Sequence, residues 1–247
     1  MEILAGLLAG AFIGAVLGFI GAGGAMLAVP ILMYGFGLKP VHATTAALAI
    51  VFAAALSGAY PKARSKSILY KEVFVIWGLG LVTNVGASLL AHIPSPSVIT
   101  TGFAVVLITA ATSMVIKPIE RSHTRISNSK LILLSLAIGC ITGFFGIGGG
   151  FIILPVLVLA FGTPVATAAG TSLAVIAINS FTAFLGHFRQ WGEINWTLPL
   201  VISLAAVVVA GVTSRIHSKI DSLVLKISFA GLLYCVAIFT ILKTWVM

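Results

Sequence analysis

Two short glycine clusters are the residues whose type and spacing could do chemistry in this chain. The first reads Gly18-Phe19-Ile20-Gly21-Ala22-Gly23-Gly24 and has Pro30 beyond it; the second reads Gly143-Phe144-Phe145-Gly146-Ile147-Gly148-Gly149-Gly150 and has Pro155 beyond it. Each interrupts an apolar run, 3–36 and 131–162, that is too long for one helix across a ~30 Å hydrocarbon core and too short for two comfortable ones. A helix interrupted inside lipid leaves backbone N–H and C=O groups unpaired, so such breaks persist only where they line a cavity or are buried in protein. The helix that restarts after each break presents free N–H groups and the positive end of its dipole, which suits an anion. The expected chemistry is capture of a small anion by Gly21, Gly23 and Gly24 and by Gly146, Gly148, Gly149 and Gly150, with the two helix ends brought together near the midplane by symmetry. Polar groups on the helices that follow, Thr44 and Thr45 in one half and Thr171, Ser172 and Asn179 in the other, are expected to donate to the same anion. The competing use of those hydroxyls is a bond to their own i−4 carbonyls.

The elements that must position these groups follow from composition and pattern. Of 247 residues, 60% are hydrophobic and only 8% charged, against roughly 25% in a soluble domain. With a mean hydropathy of +1.20 the chain has nothing to cover its surface with except lipid. This predicts an all-α, multi-pass membrane protein, with further spans near 40–58, 72–92, 97–116, 164–186, 196–214 and 222–243. Adding 125 to a residue number superimposes the two glycine clusters and carries Pro30 onto Pro155, Phe36-Gly37 onto Phe161-Gly162, Leu48-Ala49 onto Leu173-Ala174, Arg64 onto Arg189 and Gly86 onto Gly211. The chain therefore reads as two pseudo-symmetric repeats, 1–116 and 131–247, joined by a polar linker, 117–130, with one glycine-broken helix in each and about eight transmembrane helices in all. That count holds if each broken segment crosses once, which makes the halves parallel; a fold-back would make them odd-numbered and inverted. Gly6, Gly10, Gly14 and Gly18, with Ser135, Gly139 and Gly143 in the second half, form a small-residue stripe that serves helix packing.

The net charge of +9 reports orientation here, and not nucleic acid. Lys62, Arg64, Lys66 and Lys71, with Lys117, Arg121, Arg125 and Lys130, hold eight of the 14 basic residues in two segments that should both face the cytoplasm of a cell (inner) membrane. The acidic N-terminus lacks the basic flank of a cleaved signal and reads as the first membrane segment. All five carboxylates, Glu2, Glu72, Glu120, Glu193 and Asp221, fall near span ends, which argues against a buried-carboxylate proton relay or cation site. The glycines match neither a P-loop nor the dinucleotide fingerprint, because Phe151 stands where the last glycine belongs. No metal cluster, nucleophile elbow or cofactor motif is present in the sequence, so an enzyme is not expected. Cys140 and Cys235 read as small buried hydrophobes, and His42 and His187 as interfacial residues with a proton-linked role as the alternative.

The duplicated Gly-Phe-x-Gly-x-Gly-Gly motif with its later Pro-x-Leu (Gly18 to Leu32, Gly143 to Leu157), the Ala-Gly-Thr-Ser run at Ala169 to Ser172, and the two-fold repeat over essentially the whole chain resemble the sulfite exporter TauE/SafE family of membrane permeases. The first copy departs from the pattern, with Ala25 where Gly150 stands and Ala46-Ala47 in place of Thr171-Ser172. The resemblance implies a secondary transporter of sulfite, sulfonates or related organosulfur anions that uses no cofactor. An anion channel on the same dipoles and a non-transporting scaffold subunit are the alternatives from other classes.

Overall fold

The computed structural model describes residues 2–90, 96–116, 128–145, 150–216 and 222–245, and these form helices with no strand among them. In chain order they are α1 (Glu2–Ile20), α2 (Gly24–Pro30), α3 (Pro40–Arg64), α4 (Tyr70–Leu90), α5 (Pro96–Ile116), α6 (Asn128–Phe145), α7 (Gly150–Phe161), α8 (Val165–Gly186), α9 (Thr197–Ile216) and α10 (Ser222–Trp245). Helix α2 runs on into a π-helical turn, Ile31–Gly35, and a 3-10 turn, Phe188–Glu193, links α8 to α9. The six full spans expected from hydropathy correspond to α3, α4, α5, α8, α9 and α10. By length and composition α1, α3, α8 and α9 can cross a membrane.

The broken segment of the first half divides because Gly21 and Gly23 adopt φ of +77° and +86°, a left-handed conformation that a side chain disfavours. Helices α2 and α7 then close in the same way. Gly37 and Gly162 have positive φ, and the amides of Leu38 and Thr163 donate back to Leu32 O and Leu157 O at 3.1 and 3.0 Å. The two closures stand 125 residues apart.

Side-chain pairings give the direction of each helix. Along α1, the glycines at 6, 10, 14 and 18 lie against Leu198, Ile202, Ala206 and Ala210 of α9 in rising order, so α1 and α9 are parallel and their backbones touch. Helices α4 and α6 repeat this arrangement: Lys71 donates to Asn128 Oδ1 (2.8 Å) near their starts, and Gly139 lies on Gly80 and Thr83 farther along. Helix α9 also runs parallel to α3, from His42 beside Glu193 to the bonds Ser57 Oγ to Val207 O and Ser214 Oγ to Gly58 O. Helices α3 and α8 are antiparallel, because Thr45 meets His187, Phe52 meets Phe181, Gly58 meets Leu173 and Lys62 meets Gly170. Helix α4 follows α8 through Leu69 N to Thr171 Oγ1 (3.1 Å) and Trp77 Nε1 to Thr182 Oγ1 (3.3 Å).

Thus α1, α3 and α9 point one way and α4, α6 and α8 the other. Since α1 and α3 share a direction, α2 carries the chain back between them; α7 does the same between α6 and α8. Each broken segment folds back instead of continuing as one interrupted crossing. Ten α-helices are present among the described residues, the number that six full spans and two helices each broken in two would give; what differs from the expectation is that the broken segments fold back. The physical reason is the pair of left-handed glycines after α1, which reverse the chain instead of merely kinking it.

The core is built from small and aliphatic residues such as Ile13, Leu17, Ala46, Ile50, Ala54, Leu173 and Ile176, all essentially buried. Large apolar side chains, among them Leu4, Leu8, Phe12, Leu200, Leu204 and Val208, cover the outside, a surface that only lipid can solvate. Cys140 and Cys235 belong to that outer surface: both are free and exposed, not the buried hydrophobes expected. In lipid an outward position asks only that a side chain be apolar, and cysteine meets that requirement as well as a core position does.

Candidate functional site

The antiparallel pair α3/α8 runs through the middle of the molecule, and the polar groups singled out in the sequence lie along it. At one end of the pair are Lys62, Gly170, Thr171 and Ser172, and the first glycine break sits directly above them, with Gly21 against Ala169. Gly23 faces Leu232 and Phe229 of α10, and Gly24 rests on Leu17 of α1. No side chain caps the start of α2. At the opposite end are Thr44, Thr45 and His187. Asn179 lies between, on α8, within the stretch of the crossing bounded by the Phe52–Phe181 ring contact and Leu173.

Helix α6 runs opposite to α1, and the short helices that follow them, α2 and α7, touch each other. Gly146, Gly148 and Gly149 lie outside the described residues, and Gly150 is the first residue of α7.

Most of the expected hydroxyl donors are already engaged. Thr44 donates to Pro40 O (2.9 Å) and Thr45 to Val41 O (2.8 Å). Thr171 donates to Thr167 O (2.8 Å) while accepting from Leu69 N. Back-bonding to the i−4 carbonyl is the common fate of threonine in an apolar helix, where no water offers an alternative. Ser172 is fully buried and has an interaction partner. Asn179 differs: it is half-buried and has no hydrogen-bond partner among the described residues.

Basic groups mark the two ends of the pair. Thr45 Oγ1 lies 2.8 Å from His187 Nδ1. Because the threonine hydrogen is directed to Val41 O, the network assigns the imidazole proton to Nδ1, which donates. Burial pushes the His187 pKa below its usual value. Beside it, His42 Nε2 meets the exposed Glu193 carboxylate at 3.2 Å. At the other end the side chain of Lys62 lies across Gly170, where an added Cβ would meet Lys62 Cβ at 3.1 Å and the carbonyl of Ser67 closer still. Lys62 is only 4% exposed. Sequence reasoning grouped it with the solvated basic loop. The signal that could have separated it was the 125-residue offset, which sets Lys62 on His187 just as it sets Arg64 on Arg189.

An apolar cleft of about 730 Å³ opens between α3, α8 and α9, lined chiefly by Phe52, Leu56, Tyr60, Ala174, Ala177 and Ile178. It offers hydrocarbon a place and an anion almost nothing.

Comparison with known proteins finds membrane transporters. The chain is 25% identical to a "Probable membrane transporter protein" of Xylella fastidiosa, with 96% of this chain and 94% of that protein covered. It is 26% identical to the "Probable membrane transporter protein YunE" of Bacillus subtilis, covering 78% and 80%, and 26% identical to the "Probable membrane transporter protein MJ0441" of Methanocaldococcus jannaschii, covering 94% and 92%. No solved structure matches. The family described as "Sulfite exporter TauE/SafE" matches residues 6–240. With nearly the whole length matched, the chain belongs to the TauE/SafE sulfite exporter family of membrane transporters.

Proposed function

We propose that this protein is a secondary transporter of small oxyanions, sulfite and organic sulfonates foremost, working by alternating access between two inverted five-helix halves, 1–116 and 131–247. Several features support the inverted relation. Helix α1 lies on α9 as α6 lies on α4, α3 meets its counterpart α8 antiparallel, and the closures at Gly37 and Gly162 are alike. The fit of the halves is unequal, since α9 lies along α3 more extensively than α4 lies along α8. Exchanging the tight and the loose fit between the halves would open the site to the other side, as expected for inverted repeats.

Orientation follows from charge. Lys62, Arg64, Lys66, Lys71, Lys130 and Arg215 gather at the end where α3 and α9 finish and α4 and α6 begin, whereas Lys39 and Arg189 lie at the other. The richer end, with the linker 117–130, is assigned to the cytoplasmic side of a cell membrane.

The observation that carries the proposal is the unpartnered amide of Asn179 on a mostly apolar central helix. A half-buried amide with no partner among the described residues is poised to bond something that enters, and its N–H groups suit an oxyanion. The glycine break at Gly21, Gly23 and Gly24, its counterpart at Gly146, Gly148, Gly149 and Gly150, and Ser172 complete the proposed site. Thr44, Thr45 and Thr171 hold the flanking helices. Uptake of radiolabelled sulfite by proteoliposomes tests this directly. Asn179→Ala should lower uptake at least tenfold without lowering thermal stability, and undiminished uptake would remove Asn179 from the site. Currents beyond any carrier's turnover would replace the carrier with a channel.

A further inference from the structure

We infer that Lys62 is the fixed positive charge that the transported anion meets at the cytoplasmic mouth. This rests on the transport function proposed above and adds to it the residue that supplies the charge. Among the described side chains Lys62 is the only buried cation: Lys39, Arg64, Lys66, Lys71, Lys130, Arg189 and Arg215 are all exposed. Its carbonyl accepts from Ser65 Oγ and Ser67 N, but its ammonium has no hydrogen-bond or ion-pair partner among the described residues, although Glu72 lies at the same end of the molecule. A lysine at a helix end ordinarily snorkels to water, or offers its ammonium to the last carbonyls of its own helix. Lys62 does neither, for its side chain is covered and no carbonyl accepts from it. The C-terminal dipole of α3 makes the charge tolerable there, but leaves it uncompensated.

Its surroundings point to an anion. The second turn of α8 lies beside Lys62 through Gly170, one turn in from a helix start that no side chain caps, and the Gly21–Gly24 break sits on the same turn at Ala169. The start of α8 adds the positive end of its dipole to the ground that Lys62 occupies. A glycine at 170 is what allows the lysine stem to lie flat against α8; any side chain there would displace it. The counterpart at the other end is instructive. His187 occupies the position 125 residues on and is satisfied by Thr45, so that end is held by an internal bond while the Lys62 end keeps an unanswered charge. An ammonium with three N–H donors suits a compact head group with several oxygens, such as sulfite or a sulfonate, better than a neutral or cationic solute.

Thermal unfolding of the purified full-length protein, with and without sodium sulfite at constant ionic strength, tests the assignment in the wild type, Lys62→Met, Lys62→Arg and the exposed control Lys66→Met. Removal of a buried, unpaired charge should leave Lys62→Met as stable as the wild type or more so without anion, yet its affinity for sulfite should fall at least tenfold. Lys62→Arg should keep a measurable response and Lys66→Met the full one. If Lys62→Met aggregates, Lys62→Gln takes its place with the same expected loss. A Lys62→Met protein that binds sulfite as the wild type does would overturn the role of Lys62 and leave the transport function standing. One that is less stable even without anion would make the lysine structural and overturn the role as well. A wild type unresponsive to sulfite, thiosulfate, sulfoacetate and sulfate alike would overturn both.

Discussion

The two ends of the α3/α8 pair carry basic residues 125 positions apart, Lys62 and His187, and hold different chemistry. At one end a neutral imidazole and a hydroxyl satisfy each other, with an exposed ion pair nearby. At the other a lysine stem lies over a glycine and its ammonium bonds to nothing described. Each end thus holds one of these basic groups, and the residue facing it decides its state. Threonine at 45 gives the imidazole a partner. Glycine at the matching position, 170, gives the lysine only room.

Five substitutions would break or sharpen this contrast. The largest effect is expected from Gly170→Val, whose side chain would collide with the Ser67 carbonyl and the Lys62 stem; overpacking against backbone should cost about 3 kcal/mol and leave little folded protein in detergent, as read by size-exclusion chromatography after heating. Thr45→Val at the mirror position keeps its volume and should cost about 1 kcal/mol through the lost bond to His187. If the two costs proved equal, room would not be what separates the ends.

Ser214→Ala probes the tight α3/α9 contact. It removes the donor to Gly58 O and leaves that carbonyl short of a partner, at a cost of about 1–2 kcal/mol that a melting curve would resolve. His187→Gln acts through pH. Because burial lowers the imidazole pKa from its usual 6.5, the folded chain binds fewer protons than the unfolded chain on the acid side of that value. The stabilisation is fully present above pH 6.5 and is lost as pH falls below it. The variant should show a shallower loss of melting temperature between pH 7 and about pH 5, and an identical slope would place the titration elsewhere. The smallest change is expected from Glu193→Gln, since its carboxylate is 69% exposed and the His42 pair contributes at most about 0.5 kcal/mol.

Much of this architecture can be read from residues alone, and the exceptions are instructive. Glycines at 21 and 23 forecast a break, and the break is where they put it. Hydropathy finds the long helices to within a few residues because every one of them faces lipid or a small-residue core. What pattern cannot say is whether a break lets a helix continue or turns it back, since both need the same glycines. The threonines at 44, 45 and 171 were visible as polar residues in apolar helices, yet their hydroxyls go mostly to their own carbonyls. Donor type is written in the side chain, whereas the acceptor depends on the helix around it.

Composition, glycine spacing and the constant offset therefore determine by themselves a helical membrane protein with two breaks, because the hydrophobic effect and backbone sterics act locally and leave their period in the chain. The pairing of α1 with α9 and of α4 with α6, the fold-back of α2 and α7, and the burial of Lys62 over Gly170 were decided only by the tertiary structure. They depend on which distant surfaces meet, and no local pattern records that Lys62, four residues from the exposed Lys66, would be the one enclosed.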